Sequence, residues 1–162
     1  MREVRPEPLT AEGFAPFGEV IEARGESLPI NYGLTERFND LAGIDCAADG
    51  GRAIVSLFRG RPLHPLVLKI FERHPLGSQA FMPLDDRPYL AAVAPAGDLD
   101  PAAIRVFRAA PRQGVNYRRG VWHHFLLPLQ AGAEFLVIDR DGPRDNCDEV
   151  ELAEADQVRV AL

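Results

Sequence analysis

Proline and glycine interrupt this chain every few residues, and this spacing limits what it can fold into. Fourteen residues of each type divide the sequence into short segments rich in Val, Ile, Leu and Phe. Such segments, bounded by turn-forming residues, are typical of β-strands, and their regular spacing favours a sandwich or a barrel. We therefore predict strands over 53–60, 66–74, 78–84, 89–96, 104–110, 125–129, 134–140, 148–152 and 157–161.

Helical signals are few and short. The segment 9–14 can form a short helix with Thr10 as its N-cap, because a threonine hydroxyl accepts hydrogen bonds from first-turn amides. We predict a second helix within 34–42 and one helical turn within 99–104, where Pro101 comes early. The chain shows neither alternating strands and helices nor a glycine-rich phosphate loop, so a nucleotide-binding α/β fold is not expected.

Size and charge restrict the class of protein and its partners. A chain of 162 residues predicts one domain, over 1–162, that can bury a core. The net charge of −6 and the lack of long basic runs predict no nucleic-acid or membrane partner. The N-terminus has no apolar signal region, no segment is long and apolar enough for a membrane span, and two cysteines cannot build a disulfide framework. We expect a cytoplasmic protein.

The first candidate site residues lie in the predicted strand 66–74 and just after it. Side chains alternate across a strand, so Glu72 and His74 share one face, together with Leu68. After a turn the chain returns through Gln79, which can meet the same spot. The pattern Glu-x-His-x4-Gln is similar to the first metal-binding motif of the cupin barrels, His-x-His-x3-4-Glu, and predicts side chains that point into a barrel.

A second polar stretch, 114–125, contains the only tryptophan and two of the four histidines. Gly120 and His123 are spaced as in the second cupin motif, Pro-x-Gly-x-x-His, with Arg118 in the place of the proline. His123 and His124 are consecutive, so in a strand they point to opposite faces, and we expect His123 to point inward. The two motifs together predict one cavity lined by residues from both stretches.

Three interpretations of these residues stay open. His74 and His123 are good ligands for a divalent transition metal, and Glu72 can supply the charge that the neutral Gln79 lacks. In the second interpretation, Glu72 and His74 form a hydrogen-bonded pair without a metal. In the third, the two histidines are acid–base groups in a metal-free pocket, since imidazole titrates near neutral pH.

Further residues could bind a ligand, and each also has an ordinary structural role. Trp122 can line a pocket or fill a core. Asn116 and Tyr117 can donate hydrogen bonds to a ligand or satisfy the backbone of a turn. Arginine can bind a substrate carboxylate through two parallel hydrogen bonds, and the candidates are Arg37, Arg73 and Arg119.

Four stretches resemble one protein family, the ureidoglycolate lyases. They are INYGLTERFNDLA (30–42), ERHPLGSQAFMPL (72–84), GVNYRRGVWHHF (114–125) and FLVIDRDGPRDNCDE (135–149). The N-terminal LTAEGFAPFGEVIE also fits, so the resemblance covers nearly the whole chain. It implies a cupin-like β-barrel with a few short peripheral helices, a homodimer, and cleavage of ureidoglycolate to glyoxylate and urea in allantoin and purine breakdown.

The resemblance also implies a type of chemistry. Cleavage is an elimination in which a base removes the hydroxyl proton, the C–N bond breaks, and an acid protonates the departing urea nitrogen. His74 and His123 would be base and acid, in either order, with Glu72 orienting one of them. An arginine would bind the carboxylate. Gln79, Asn116 and Tyr117 would hold the ureido group.

Two positions depart from the family pattern. Arg118 stands where relatives commonly have histidine, which weakens any scheme that uses a base there, and Phe125 stands where they commonly have proline. The alternatives are a relative that acts on another hydroxy acid, and a non-catalytic cupin-like module that binds a small carboxylate. The reaction requires no redox or nucleotide cofactor, so the only cofactor in question is a divalent transition metal.

Overall fold

The computed structural model describes all 162 residues of a chain built mainly from strands. Strands account for 43% of the residues and helices for 10%, which confirms the mainly β class. The strands form four sheets, of seven, five, three and two strands. These sheets pack as a cupin-like sandwich and do not close into the predicted barrel.

Most of the strands are short. In chain order they are β1 (Arg2–Val4), β2 (Glu7–Pro8), β3 (Gly18–Ile21), β4 (Leu28–Ile30), β5 (Thr35–Arg37), β6 (Arg52–Gly60), β7 (Val67–Leu68), β8 (Ile70–Arg73), β9 (Gln79–Pro83), β10 (Tyr89–Ala94), β11 (Arg105–Arg108), β12 (Gly114–Tyr117), β13 (Trp122–His123), β14 (Leu127–Pro128), β15 (Ala133–Asp141), β16 (Asp148–Glu151) and β17 (Val158–Val160). The helical segments are α1 (Ala11–Phe14) and single 3-10 turns at Asn31–Gly33, Ala48–Gly50, Pro101–Ala103 and Glu154–Asp156. None of them has the length and apolar character of a membrane-spanning helix.

Each of the nine predicted strand segments contains an observed strand. In one of them the predicted alternation of side chains between two faces is interrupted. The segment 66–74 divides into β7 and β8, with Lys69 between them. Leu68 and Phe71 are both fully buried in one hydrophobic cluster, although they are three residues apart. The alternation therefore shifts by one residue at Lys69, and the prediction that Leu68 shares a face with Glu72 is wrong.

Two of the three helical predictions are confirmed. Thr10 caps α1, since its hydroxyl accepts a hydrogen bond from the amide of Gly13 at 3.1 Å, and Pro101–Ala103 form the expected single turn. The predicted helix within 34–42 is wrong. The backbone of residues 31–33 is left-handed, with positive φ at each position, and turns the chain back so that β5 pairs with β4 instead of coiling.

The central sheet contains seven strands, β16, β8, β13, β10, β11 and β2 in that order, with β14 beside β10. One of its faces packs against the front sheet (β3, β12, β9, β15, β6) and the other against the back sheet (β1, β17, β7). Along β10 the odd-numbered residues from Tyr89 lie in the cluster toward the front sheet, here called the front core. The even-numbered residues from Leu90 lie in the cluster toward the back sheet, the back core. A strand buried on both faces thus separates two cores.

The register of β13 follows from this arrangement and positions the candidate site. His123 pairs with Val93, a residue of the front core, and Trp122 pairs with Ala94, a residue of the back core. Because directly opposed residues of antiparallel strands point to the same face, His123 faces the front sheet. The prediction that His123 points inward is consistent with this register.

Phe135 is expected to hold the central and front sheets together. Its ring is 1% exposed and meets Tyr89 edge-on, with centroids 5.0 Å apart. Phe135→Ala should lower the free energy of unfolding by about 3–5 kcal/mol, because it leaves a cavity. The control Phe125→Ala removes a ring that is 42% exposed and should cost about 1 kcal/mol or less. Equal losses in urea denaturation would contradict this packing.

Candidate functional site

A polar cluster of Glu72, His74 and His123 lies at one end of the front core. The Cα atoms of Glu72 on β8 and His123 on β13 are opposed in the ladder, so the register itself brings the carboxylate to the imidazole. Nε2 of His123 lies 3.4 Å from Oε1 of Glu72, and Nε2 of His74 lies 3.9 Å from the same oxygen. Two stretches distant in the sequence therefore meet here, as the sequence predicted. None of the four surface cavities of the structure is lined by Glu72, His74 or His123, so the predicted shared cavity is not observed.

Two members of the cluster, here called the Glu72 cluster, are partly exposed to solvent and one is buried. His123 is 1% exposed, whereas the side chains of His74 and Glu72 are 15% and 22% exposed. The centroids of the two imidazole rings are 5.1 Å apart. Solvent therefore reaches the cluster through Glu72 and His74, and His123 lies beneath them.

His74 presents an unused lone pair to the cluster. Its Nδ1 lies 2.6 Å from the carbonyl oxygen of Asn146, and a carbonyl can only accept, so Nδ1 carries the hydrogen. In the neutral ring Nε2 then bears the lone pair. Nε2 is enclosed and has no hydrogen-bond partner in the chain, which is costly for a buried polar atom unless a ligand supplies a donor.

Gln79 on β9 links His123 to a carboxylate that the sequence analysis did not consider. The amide nitrogen of Gln79 donates to Oδ2 of Asp139 at 3.2 Å, and its oxygen lies 3.2 Å from Nε2 of His123. An ionised carboxylate only accepts, so Asp139 turns the amide oxygen toward the imidazole. Two acceptors, from Gln79 and Glu72, then face Nε2 of His123, which carries the hydrogen.

Asp139 was missed although the sequence contains a signal for it. On β15, Phe135 and Val137 face the front core, and period-two alternation places Asp139 on the same face. A polar residue at the end of an inward-facing apolar series is a candidate site residue. Its second oxygen, Oδ1, is enclosed and has no hydrogen-bond partner.

Tyr117 on β12 covers one face of His123. The two rings are nearly parallel, at 11°, with centroids 4.3 Å apart. Burial raises the pKa of the Tyr117 phenol well above its usual value, so the phenol stays protonated at neutral pH. The stack holds the plane of the imidazole, which agrees with a role for Tyr117 beside the site.

The electrostatics of the cluster favour a carboxylate beside a neutral imidazole. Burial lowers the pKa of His123 below its usual value, although the hydrogen bond to Glu72 acts in the opposite direction. The hydrogen bond from His123 lowers the pKa of Glu72, and desolvation only partly offsets it. At neutral pH, Glu72 is therefore ionised and His123 is neutral.

The same three residues could hold a divalent transition metal. Glu72, His74 and His123 each offer one ligand atom, and these atoms lie within 4.8 Å of one another. Two imidazoles and a carboxylate suit such a metal, and the free lone pair of His74 is what a ligand requires. His123 would have to move its hydrogen to Nδ1, which has the carbonyl of Val121 as an acceptor at 3.2 Å.

Several residues singled out from the sequence do not join the cluster. Trp122 faces the back core, donates to the carbonyl of Gly97 at 2.9 Å, and carries the guanidinium of Arg73 over its ring at 4.6 Å. Alternation along β8 and β13 explains why these two side chains point away from the cluster. Trp122 comes directly before His123, and Arg73 comes directly after Glu72. The structure thus assigns Trp122 and Arg73 to the opposite face of the central sheet.

Asn116 and Arg37 also lie elsewhere. Asn116 alternates with Tyr117 along β12, so its amide points to the outer face of the front sheet, where it donates to Glu19 and to the carbonyl of Gly43, both at 3.0 Å. Arg37 lies in the exposed hairpin of β4 and β5 and forms no ion pair. Neither side chain contacts the cluster.

Arg119 is the predicted arginine whose neighbour in the chain contacts the backbone of His74. The next residue, Gly120, donates its amide hydrogen to the carbonyl of His74 at 3.0 Å, and its φ of +76° is one that glycine adopts without strain. Arg119 forms an ion pair with Asp45 at 2.7 Å, and its side chain is 39% exposed. The glycine of the second motif therefore brings the backbone next to Arg119 against His74, while the guanidinium itself pairs with Asp45.

Comparison with known proteins points to one family. The sequence model of the family described as Ureidoglycolate lyase matches residues 1–160. The ureidoglycolate lyase of Burkholderia mallei (strain NCTC 10229) is 54% identical over 157 residues, 96% of this chain and 92% of that protein. Those of Stutzerimonas stutzeri (strain A1501) and Azotobacter vinelandii (strain DJ) are 51% and 52% identical over 161 residues, 98% of this chain and 95% and 97% of theirs.

The link between Asp139, Gln79 and His123 predicts a spectroscopic change. Asp139→Asn introduces an amide that can donate as well as accept, so the orientation of Gln79 is no longer imposed and both neutral tautomers of His123 should be populated. The ¹⁵N chemical shifts of the imidazole report this directly. Asp141→Asn, on the same strand but at the surface and paired with Arg52, is the control. Identical His123 spectra in both variants would refute the link.

Proposed function

The chain belongs to the ureidoglycolate lyase family, and from this premise we propose that it cleaves ureidoglycolate to glyoxylate and urea at the Glu72 cluster. The observation that carries the proposal is that two of the three enclosed side-chain atoms without a hydrogen-bond partner are acceptors here, Nε2 of His74 and Oδ1 of Asp139; the third, Oδ1 of Asn116, lies on the other face of the front sheet. Ureidoglycolate carries donors, a hydroxyl and ureido N–H groups, attached around one carbon. Binding of ureidoglycolate would give each of these two acceptors a hydrogen-bond donor. Buried polar atoms normally have such a partner.

We assign the base to His74. Its Nε2 lone pair can accept the hydroxyl proton, and the carbonyl of Asn146 at 2.6 Å from Nδ1 stabilises the imidazolium that forms. As the proton leaves, an oxygen lone pair forms the carbonyl of glyoxylate and the C–N electrons move to the urea nitrogen.

The same imidazolium can return the proton to the urea nitrogen. The hydroxyl and the nitrogen are attached to one carbon, so His74 needs only a small displacement to reach both. His123 is neutral at neutral pH because burial lowers its pKa, and a neutral imidazole is a poor acid. We therefore assign His123 the role of hydrogen-bond donor to the substrate, with Glu72 and Gln79 holding its hydrogen in position.

Positioning of the substrate completes the proposal. Arg119 is the arginine best located to bind the carboxylate, and its ion pair with Asp45 shows that it reaches such a partner at 2.7 Å. Gln79 and Asp139 would hold the ureido group. Asn116 is not assigned a role in substrate binding, because it points to the other face of its sheet.

Turnover of His74→Gln tests the assignment. Glutamine keeps a polar side chain but cannot carry a proton, so the rate of glyoxylate release should fall by roughly 10²–10⁴-fold. His64→Gln, which alters an exposed histidine outside the cluster, should keep normal turnover. A His74→Gln variant as active as this control would remove the proposed base, and His123→Ala with normal turnover would remove the proposed donor.

A divalent transition metal would be held by Glu72, His74 and His123 and would lower the pKa of the substrate hydroxyl. The lone pair of His74 cannot be a ligand and a base at the same time, so metal dependence distinguishes two uses of the cluster. We propose that the cluster works without a metal. Asp139 and Gln79 keep the hydrogen of His123 on Nε2, which is the nitrogen that a metal would need as a ligand.

Removal of metal therefore has a defined expected outcome. Protein treated with EDTA and freed of metal should release glyoxylate at an unchanged rate, and addition of Zn²⁺ or Mn²⁺ should not raise it. Metal content of the treated protein, measured by mass spectrometry, serves as the control. Loss of activity on chelation, with recovery on metal addition, would contradict the metal-free route.

We further propose that residues 1–162 form one domain and that the enzyme is a cytoplasmic homodimer without nucleic-acid or membrane partners. Both cysteines are free, which suits a reducing compartment, and the net charge is −6. The outer face of the front sheet presents an apolar row of Leu57, Leu136 and Met82, aligned by strand register, in which Leu57 is 64% exposed. Exposed apolar surface of this kind is typical of an interface between subunits.

A further inference from the structure

A surface cavity of about 240 Å³ lies beside β7, away from the Glu72 cluster. Its apolar walls include Leu63, Val67, Ile70 and Phe125, and its polar groups include Lys69 and His124. Since one water occupies about 30 Å³ in the liquid, the cavity has room for roughly eight waters. It suits a ligand with a similarly small number of non-hydrogen atoms.

His124 supplies an acceptor without a partner to this cavity. The residue is 2% exposed, and its ring lies edge-on to Phe71 and against Phe125, with centroids 5.8 Å and 3.9 Å away. Nδ1 lies 3.0 Å from the carbonyl oxygen of Phe125 and so carries the hydrogen. Nε2 then bears the lone pair, and it makes no hydrogen bond within the chain.

Lys69 supplies a cation without a partner. It is the only lysine in the sequence, its side chain is exposed, and it forms no ion pair, although arginines elsewhere in the chain pair with carboxylates at about 2.7 Å. No Asp or Glu lines the cavity, and His64 stands at its edge as a further donor. The charge balance of the cavity therefore favours an anion.

We propose that this cavity binds a small carboxylate that also carries a hydroxyl or N–H donor and a short aliphatic body. The carboxylate meets the ammonium of Lys69, the donor meets Nε2 of His124, and the aliphatic part packs against Leu63, Val67 and Ile70. Because His123 faces the Glu72 cluster and His124 faces this cavity, the two sites lie back to back at the same point of the central sheet. The second site is independent of the proposed catalysis.

The test uses 2-hydroxy-3-methylbutanoate as the probe, with 3-methylbutanoate as the matched molecule that lacks the hydroxyl. The imidazole ¹⁵N resonances of the full-length protein are followed during titration with each. The hydroxy acid should bind in the millimolar range, shift the Nε2 resonance of His124, and bind several-fold more tightly than 3-methylbutanoate, because only the hydroxyl can donate a hydrogen bond to Nε2 of His124.

Variants separate this cavity from the catalytic site. Lys69→Gln should weaken binding of the hydroxy acid about tenfold, since a charge-assisted contact is lost. Arg24→Gln, which removes a charge from an exposed residue outside the cavity, and His74→Gln, which alters the Glu72 cluster, should leave the affinity unchanged. The proposal is overturned by equal affinity in Lys69→Gln and Arg24→Gln, by no shift of His124 at tens of millimolar probe, or by shifts confined to His74 and His123.

Discussion

The backbone ladder that joins β8, β13 and β10 is the constraint on which the rest of the structure depends. It sets His123 opposite Glu72 on one side and opposite Val93 on the other, so one short strand connects the polar cluster to the front core. A slip of one residue would turn His123 into the back core and replace it with Trp122. The site therefore exists because the register is held by burial on both faces of β10.

Burial also sets the proton positions. Polar groups inside a sandwich are costly unless each finds a partner, and Asp139, Gln79, His123 and Glu72 form a series in which nearly every donor meets an acceptor. Two of the three enclosed atoms left without partners, on His74 and Asp139, are acceptors of the cluster and of the residue linked to it through Gln79. In the proposed site, a substrate rich in donors would supply the hydrogen bonds that these two acceptors lack, and the hydroxyl and N–H groups of ureidoglycolate fit that need.

The consecutive histidines illustrate how one strand can serve two surfaces. His123 contacts the carboxylate, the amide and the phenol ring of the front side, whereas His124 packs against Phe71 and turns its free nitrogen to a separate cavity. Burial lowers the pKa of His124 to about 4, so this ring is an uncharged acceptor at neutral pH. The same dipeptide thus places two neutral imidazoles in different environments, with different partners.

Local patterns in the sequence determined the strand content, the Thr10 cap and the pairing of Glu72 with His74 on one face, because period and capping chemistry depend only on near neighbours. The helix expected within 34–42 failed for a local reason, since left-handed residues at 31–33 return the chain so that residues 35–37 pair with β4. Non-local contacts decided the remainder. Which polar residues face one another depends on how sheets layer and in which register, and sequence spacing cannot specify that. Alternation along a strand sets which residues share a face, and the layering of the sheets then decided that the face of Asp139 meets the cluster whereas those of Asn116 and Trp122 do not.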